Sequence, residues 1–241
     1  MKYLISISYD GSKYYGFERQ PKLKTVQGEI ERVLKKISKE DITIKGAGRT
    51  DRGVHALDQK AHFELKQNIP CDGLLDAMNS LLDDYIYINY VKEVNDEFHA
   101  RFDCISKTYE YYLNVGEYNP IKNDYIYNYN KPLNISKMRK AAKYLCGMHS
   151  YEAFTAGERE NYNSIVYKIT ISKKDNIIKF KFDGKSFYRY MVRNLVGILI
   201  DVGRGKIEPI EAKKTLEAKK NICGYVTAPA CGLYLTKVNY K

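Results

Sequence analysis

The sequence predicts an α+β fold of two ferredoxin-like halves, and three observations carry that reading. Isoleucine and serine alternate from Tyr3 to Tyr9, the period of a half-buried strand. Val26, Ile30, Val33, Leu34 and Ile37 then repeat at helical spacing. Finally, the order strand, helix, two strands, helix, strand runs through the first hundred residues and recurs in the rest, which is the β-α-β-β-α-β arrangement. With 241 residues, the chain is long enough for two such halves.

In the first half, Thr25 stands where a helix N-cap belongs, ahead of the Val26 to Ile37 face. A short strand is expected at Ile42 to Lys45, then a glycine-rich segment from Gly46 to Ala56 and an alternating strand through Ala61, Phe63 and Leu65. Pro70 opens a helix carrying Leu74, Leu75, Met78, Leu81 and Leu82, and Tyr85 to Val91 is the closing strand. The second half begins with a strand at Ile105 to Val115. A helix capped by Asn134 follows, with Ile135, Met138, Ala142 and Leu145 on one face. Two strands, Ser164 to Ile171 and Ile177 to Phe182, lead to an apolar helix from Phe187 to Val202. Pro209 opens a shorter helix, and Leu233 to Val238 is the last strand. The boundary falls at Asp103, giving halves 1–103 and 104–241. No low-complexity linker separates them, so a continuous or abutting sheet is expected and not two separate beads. The Asn/Tyr/Pro-rich stretch Glu117 to Pro132 is the one long loop.

The formal charge of +11 and a pI near 9.2 point to a polyanionic partner, nucleic acid first. Five scattered cysteines, an odd number without a Cys-x-x-Cys pair, fit reduced thiols and not a disulfide framework or a zinc site. The longest apolar stretch, Leu195 to Ile200, is far short of the ~20 residues of a membrane span. No apolar leader core precedes Tyr9, and the expected address is cytoplasmic. His55, His62, His99 and His149 lack metal-ligand spacing and are expected to be structural or RNA-contacting.

Chemistry concentrates in Gly46-Ala-Gly-Arg-Thr-Asp-Arg-Gly-Val-His-Ala56. It lacks the Gly-Lys-Ser/Thr of a phosphate loop, and Asp51 occupies the third glycine's place in a dinucleotide fingerprint. What remains is one carboxylate between Arg49 and Arg52, which would hold it ionised for work as nucleophile or base; a salt-bridged turn is the plain alternative. Alternation along the strand from Ile105 puts Lys107, Tyr109 and Tyr111 on the mainly apolar face, where Tyr109 suits packing or base stacking. Arg189 and Arg193, four apart in an apolar helix, are expected to share one face, at least one of them directed inward and in need of a carboxylate such as Asp51.

These residues resemble the tRNA pseudouridine synthase A family. The similarity extends through Thr25-Val-Gln-Gly28, Phe98-His-Ala-Arg-Phe102, Lys107-Thr-Tyr-Glu-Tyr-Tyr112, Met191-Val-Arg-Asn-Leu-Val-Gly197 and Ala228-Pro-Ala-Cys-Gly-Leu-Tyr-Leu235, in the family's order. The resemblance implies a cofactor-free isomerase that converts uridine to pseudouridine in the anticodon stem-loop of tRNA, as a homodimer whose halves surround a basic cleft. It also implies roles: Asp51 as the catalytic carboxylate, Tyr109 stacked on the target uracil and Arg193 paired with Asp51. Arg49 would help displace the flipped base and Leu233 give it apolar support, with Arg52, Lys107, Tyr111 and Arg189 completing the substrate-binding set. Two positions depart from residues common in the family, Glu18 after Phe17 and Asn163 before Ser164-Ile165, with Arg159 and Tyr162 available to compensate. The same chemistry on ribosomal RNA is the nearest alternative. A non-catalytic RNA-binding module is more remote, because the aromatic strand signature of RNA-recognition domains is absent.

Overall fold

The isoleucine–serine alternation becomes β1 (Lys2–Tyr9), but burial does not alternate: all but Ser8 are buried. The polar phase is accommodated because Ser6 Oγ donates to Asp58 Oδ1 at 2.7 Å and accepts from Asn89 Nδ2 at 3.1 Å. The computed structural model describes residues 1–241, which divide into two units, Met1–Ile105 with Leu235–Lys241 and Ser106–Tyr234.

In the first unit, α1 (Val26–Ser38) starts where Thr25 accepts a bond from the Gly28 N–H at 3.2 Å and ends at Lys39 in the left-handed conformation. Its Val26, Ile30, Val33 and Leu34 are fully buried. The strand expected at Ile42 to Lys45 is only β2 (Lys45–Gly46). Then come β3 (His55–Glu64), α2 (Cys71–Leu81) and β4 (Ile86–Val94). Of the apolar positions expected inside α2, Leu74 and Met78 are buried whereas Leu81 is exposed. Antiparallel pairing (Tyr3 opposite Phe63, Ile5 opposite Val91, Lys45 opposite His62) gives the order β4-β1-β3-β2, that of a split βαβ sheet.

The second unit holds β5 (Ser106–Asn114), β6 (Tyr127–Asn128), α3 (Ile135–Tyr144), β7 (Gly147–Ser150), β8 (Asn163–Lys174), β9 (Ile177–Gly184), α4 (Met191–Gly203) and α5 (Pro209–Ala218). Its sheet runs β5-β9-β8-β7 with antiparallel neighbours, Tyr111 lying opposite Phe180, and β7 is a strand that no alternation in the sequence announced. The Asn/Tyr/Pro-rich loop is ordered by its asparagines. Asn114 Nδ2 donates to Asn128 Oδ1 at 2.9 Å, and Asn128 Nδ2 to the Asn119 carbonyl at 3.1 Å, which sets β6 parallel to β5.

The last strand, β10 (Leu233–Asn239), departs from the expected halves. From Leu235 on it belongs to the first unit, where it lies beside β3. There the Val238 N–H donates to Asp58 Oδ2 at 3.2 Å and the Tyr240 hydroxyl to the Ala100 carbonyl at 2.7 Å. The α+β class therefore holds, while the second-half range 104–241 does not coincide with the second unit.

Candidate functional site

Asp51 sits, half-buried, in the segment joining β2 to β3. This segment has no regular secondary structure, so its shape depends on what surrounds it. The stretch between β1 and α1 packs against it closely: the Phe17 N–H donates to the Thr50 carbonyl at 3.1 Å. A Cβ on Gly11 would lie 1.9 Å from the Val54 carbonyl oxygen, and one on Gly16, whose φ is +96°, would lie 2.9 Å from that of Thr50. From the other side, Gln59 Nε2 donates to the Gly48 carbonyl at 2.9 Å and the Tyr9 hydroxyl lies 2.8 Å from Thr50 Oγ1. The Val54 N–H closes the turn onto the Asp51 carbonyl at 3.1 Å. The carboxylate-bearing segment is thus braced in advance of any substrate.

The two arginines flanking Asp51 have other partners. Arg49 is largely exposed and forms an ion pair with Glu18 Oε1 at 2.5 Å, and the Arg52 guanidinium lies 4.3 Å from the centre of the Tyr15 ring. Glu18 is therefore the direct neighbour of an arginine expected to meet RNA. In the same unit, His55 Nδ1 accepts from the Gly11 N–H at 3.2 Å, His62 Nδ1 from the Ala100 N–H at 3.1 Å and His99 Nδ1 from the Arg101 N–H at 3.1 Å. These are structural bonds. Burial, with His99, Lys2 and Lys45 nearby, pushes His62 down to about 4, so it is neutral at pH 7.

The second unit positions the remaining expected residues. On β5, Tyr109 is buried with 7% exposure and meets the Phe187 ring edge-on at 5.2 Å. Gly184 makes that contact possible, since a Cβ there would lie 2.8 Å from Phe187 Cζ. Lys107 is also buried. Tyr111 is fully enclosed and donates its hydroxyl to the Pro229 carbonyl at 2.9 Å, with burial holding it well above the ordinary phenol range. That is a core position, not a contact surface. Leu233 is buried at the start of β10.

Arg189 and Arg193 do not share a helix face. Tyr190 adopts φ of 63° and caps α4, so the helix begins at Met191 and Arg189 lies in the turn before it, exposed. Arg193 is half-buried and donates Nε to the Ala228 carbonyl at 2.7 Å. Both guanidiniums lie over the Tyr190 ring, at 5.1 and 4.7 Å. The polar loop 155–163 is tied to this turn through the Ala156 N–H, which donates to the Arg189 carbonyl at 3.0 Å, and through Arg159, 4.1 Å above the Tyr188 ring.

Sequence reasoning missed the braces of the Asp51 segment. A signal existed for one: Gln59 shares its strand face with Ala61 and Phe63, a polar residue in an apolar phase, and it is completely buried.

Comparison with known proteins bears on both units. A family model described as tRNA pseudouridine synthase matches residues 5–103 and 141–241. A tRNA pseudouridine synthase A of Borrelia turicatae is 43% identical, with 100% of this chain and 99% of the relative aligned. One of Thermosipho melanesiensis is 41% identical over 98% of each chain, and one of Thermoanaerobacter pseudethanolicus 40% over 98% of each.

Proposed function

Since the chain belongs to the tRNA pseudouridine synthase A family, we propose that it converts uridine to pseudouridine in tRNA, on the 3′ side of the anticodon stem-loop. The observation that carries this reading is the braced Asp51 segment, a half-buried carboxylate on backbone fixed before substrate arrives. Such pre-organisation is what a reaction at a sugar carbon requires.

In this reading the target nucleotide leaves the stack so that the carboxylate reaches its ribose. Asp51 acts at C1′ as nucleophile or at the 2′ carbon as base. The C1′–N1 bond breaks, the uracil turns, C1′ bonds to C5, and the C5 proton passes to water while N1 regains one. Every atom of the uridine is retained, and the chemistry uses no cofactor. Tyr109, steadied by Phe187, stacks on the uracil, and Leu233 gives apolar support. Arg193, its side chain anchored by the Ala228 carbonyl, is the cation that the family resemblance pairs with Asp51. Arg49, Arg52, Arg189 and Lys107 supply cationic contacts to the RNA. Tyr111 contributes through packing alone.

The charge of +11 supports a polyanionic substrate, and no helix is long and apolar enough to cross a membrane, which agrees with action in the cytoplasm. The family resemblance supports a homodimer, which sedimentation of the purified protein tests. The decisive experiment is tritium release from tRNA carrying uridine tritiated at C5. Wild-type protein should release tritium, and Asp51→Asn should abolish turnover while binding tRNA within a few-fold. Substantial turnover by Asp51→Asn would refute the assignment. Carbodiimide mapping in a deletion strain locates the uridine: loss confined to ribosomal RNA would overturn the tRNA reading.

A further inference from the structure

Two side chains from strands and one from the segment itself hold the backbone at Asp51, and all three are removed from solvent. Tyr9, the last residue of β1, and Thr50 are 5% and 7% exposed, and Gln59 in β3 is fully buried. The Tyr9 hydroxyl is 2.8 Å from Thr50 Oγ1, adjacent in sequence to Asp51. Gln59 Nε2 donates to the Gly48 carbonyl at 2.9 Å, while its Oε1 accepts from the Lys60 N–H at 3.1 Å, so its amide orientation is fixed from within β3. The segment between these anchors has no helix or sheet ladder of its own, and loop backbone without such bonds samples many conformations. A carboxylate displaced by 1 Å would lose much of its effect on a reacting carbon.

From this geometry we infer that Tyr9, Thr50 and Gln59 are positioning residues for the Asp51 carboxylate, acting on the chemical step through the backbone and not through the RNA. The inference rests on the assignment of Asp51 made above. None of the three carries a charge or belongs to the RNA-contacting set assigned above, so their loss should leave RNA binding intact.

The test is single-turnover pseudouridine formation at saturating tRNA, with RNA Kd measured separately on the same proteins. Tyr9→Phe deletes one oxygen, and Thr50→Val is isosteric. Each should slow the chemical step at least tenfold while Kd stays within twofold of wild type. The double variant should be no slower than the worse single one, because both remove the same bond. Thr50→Ser keeps a hydroxyl and should recover most of the rate that Thr50→Val loses, whereas a packing defect would not be rescued by the smaller side chain. Gln59→Met removes the second anchor without leaving a void and should behave like Tyr9→Phe. Rates equal to wild type in Tyr9→Phe, Thr50→Val and Gln59→Met would overturn the inference, as would rate losses matched by equal losses in Kd. An active Asp51→Asn would instead bring down the assignment on which it rests.

Discussion

Arg193 and Ala228 exchange two hydrogen bonds: Arg193 Nε donates to the Ala228 carbonyl at 2.7 Å, and the Ala228 N–H donates back to the Arg193 carbonyl at 3.2 Å. Ala228 is 3% exposed, so its carbonyl depends on the protein for a donor. Arg193→Met should lower stability by about 1–3 kcal/mol, the usual cost of leaving a buried acceptor without its partner, and slow catalysis as well. Urea midpoints and single-turnover rates check both. A variant with wild-type midpoint and rate would show that neither the bond nor the charge at Arg193 matters.

Glu18 neutralises Arg49 through an exposed ion pair. Exposed pairs of this kind contribute about 0.2–1 kcal/mol, so removing the carboxylate should leave stability nearly unchanged. It should nevertheless free a cation for phosphate and lift a repulsion. Glu18→Gln is expected to bind tRNA several-fold more tightly at low salt, the gain shrinking as salt rises. Equal Kd values for the two proteins at low salt would mean that Arg49 lies outside the RNA interface.

Binding of wild-type protein should weaken steeply with salt. Each phosphate neutralised contributes a slope of roughly −0.7 to −0.9 in log K against log salt, and a protein of charge +11 should show the slope of about four or more. Filter binding or anisotropy at several salt concentrations gives the slope directly. A flat dependence would place the basic residues away from the RNA.

His62 makes stability depend on pH. Its imidazole is buried, neutral and held by the Ala100 N–H, and burial lowers it from 6.5 to about 4. Between these values the unfolded chain binds a proton that the folded chain refuses. The stability due to keeping His62 neutral is therefore complete above pH 6.5, declines as pH falls and is gone below about 4, a loss on the order of 3 kcal/mol. His62→Gln should flatten that part of a plot of urea midpoint against pH. An unaltered slope would assign the acid sensitivity to other groups.

Residues close in the chain determine what the sequence by itself fixed about this protein. Thr25 caps α1 and Asn134 caps α3 through bonds that span three residues, Pro209 starts α5, and the Val26 to Leu34 face is buried as its spacing requires. Asp51 stood out because the glycines and arginines that mark it are contiguous with it. Tertiary structure decided the rest, because the deciding partners are distant in sequence. The polar phase of β1 is buried because Asp58 and Asn89 reach Ser6 across the sheet. Arg189 and Arg193 part company because Tyr190 turns left-handed beneath both guanidiniums. Arg49 meets Glu18 only once the chain before α1 lies along the Asp51 segment. The last strand joins the first unit because β3 offers it a free edge beyond the two residues of β2, and Asp58 waits there for the Val238 N–H. Periodicity reports which face of an element is apolar; which distant backbone or side chain satisfies a buried polar atom depends on how the elements come together.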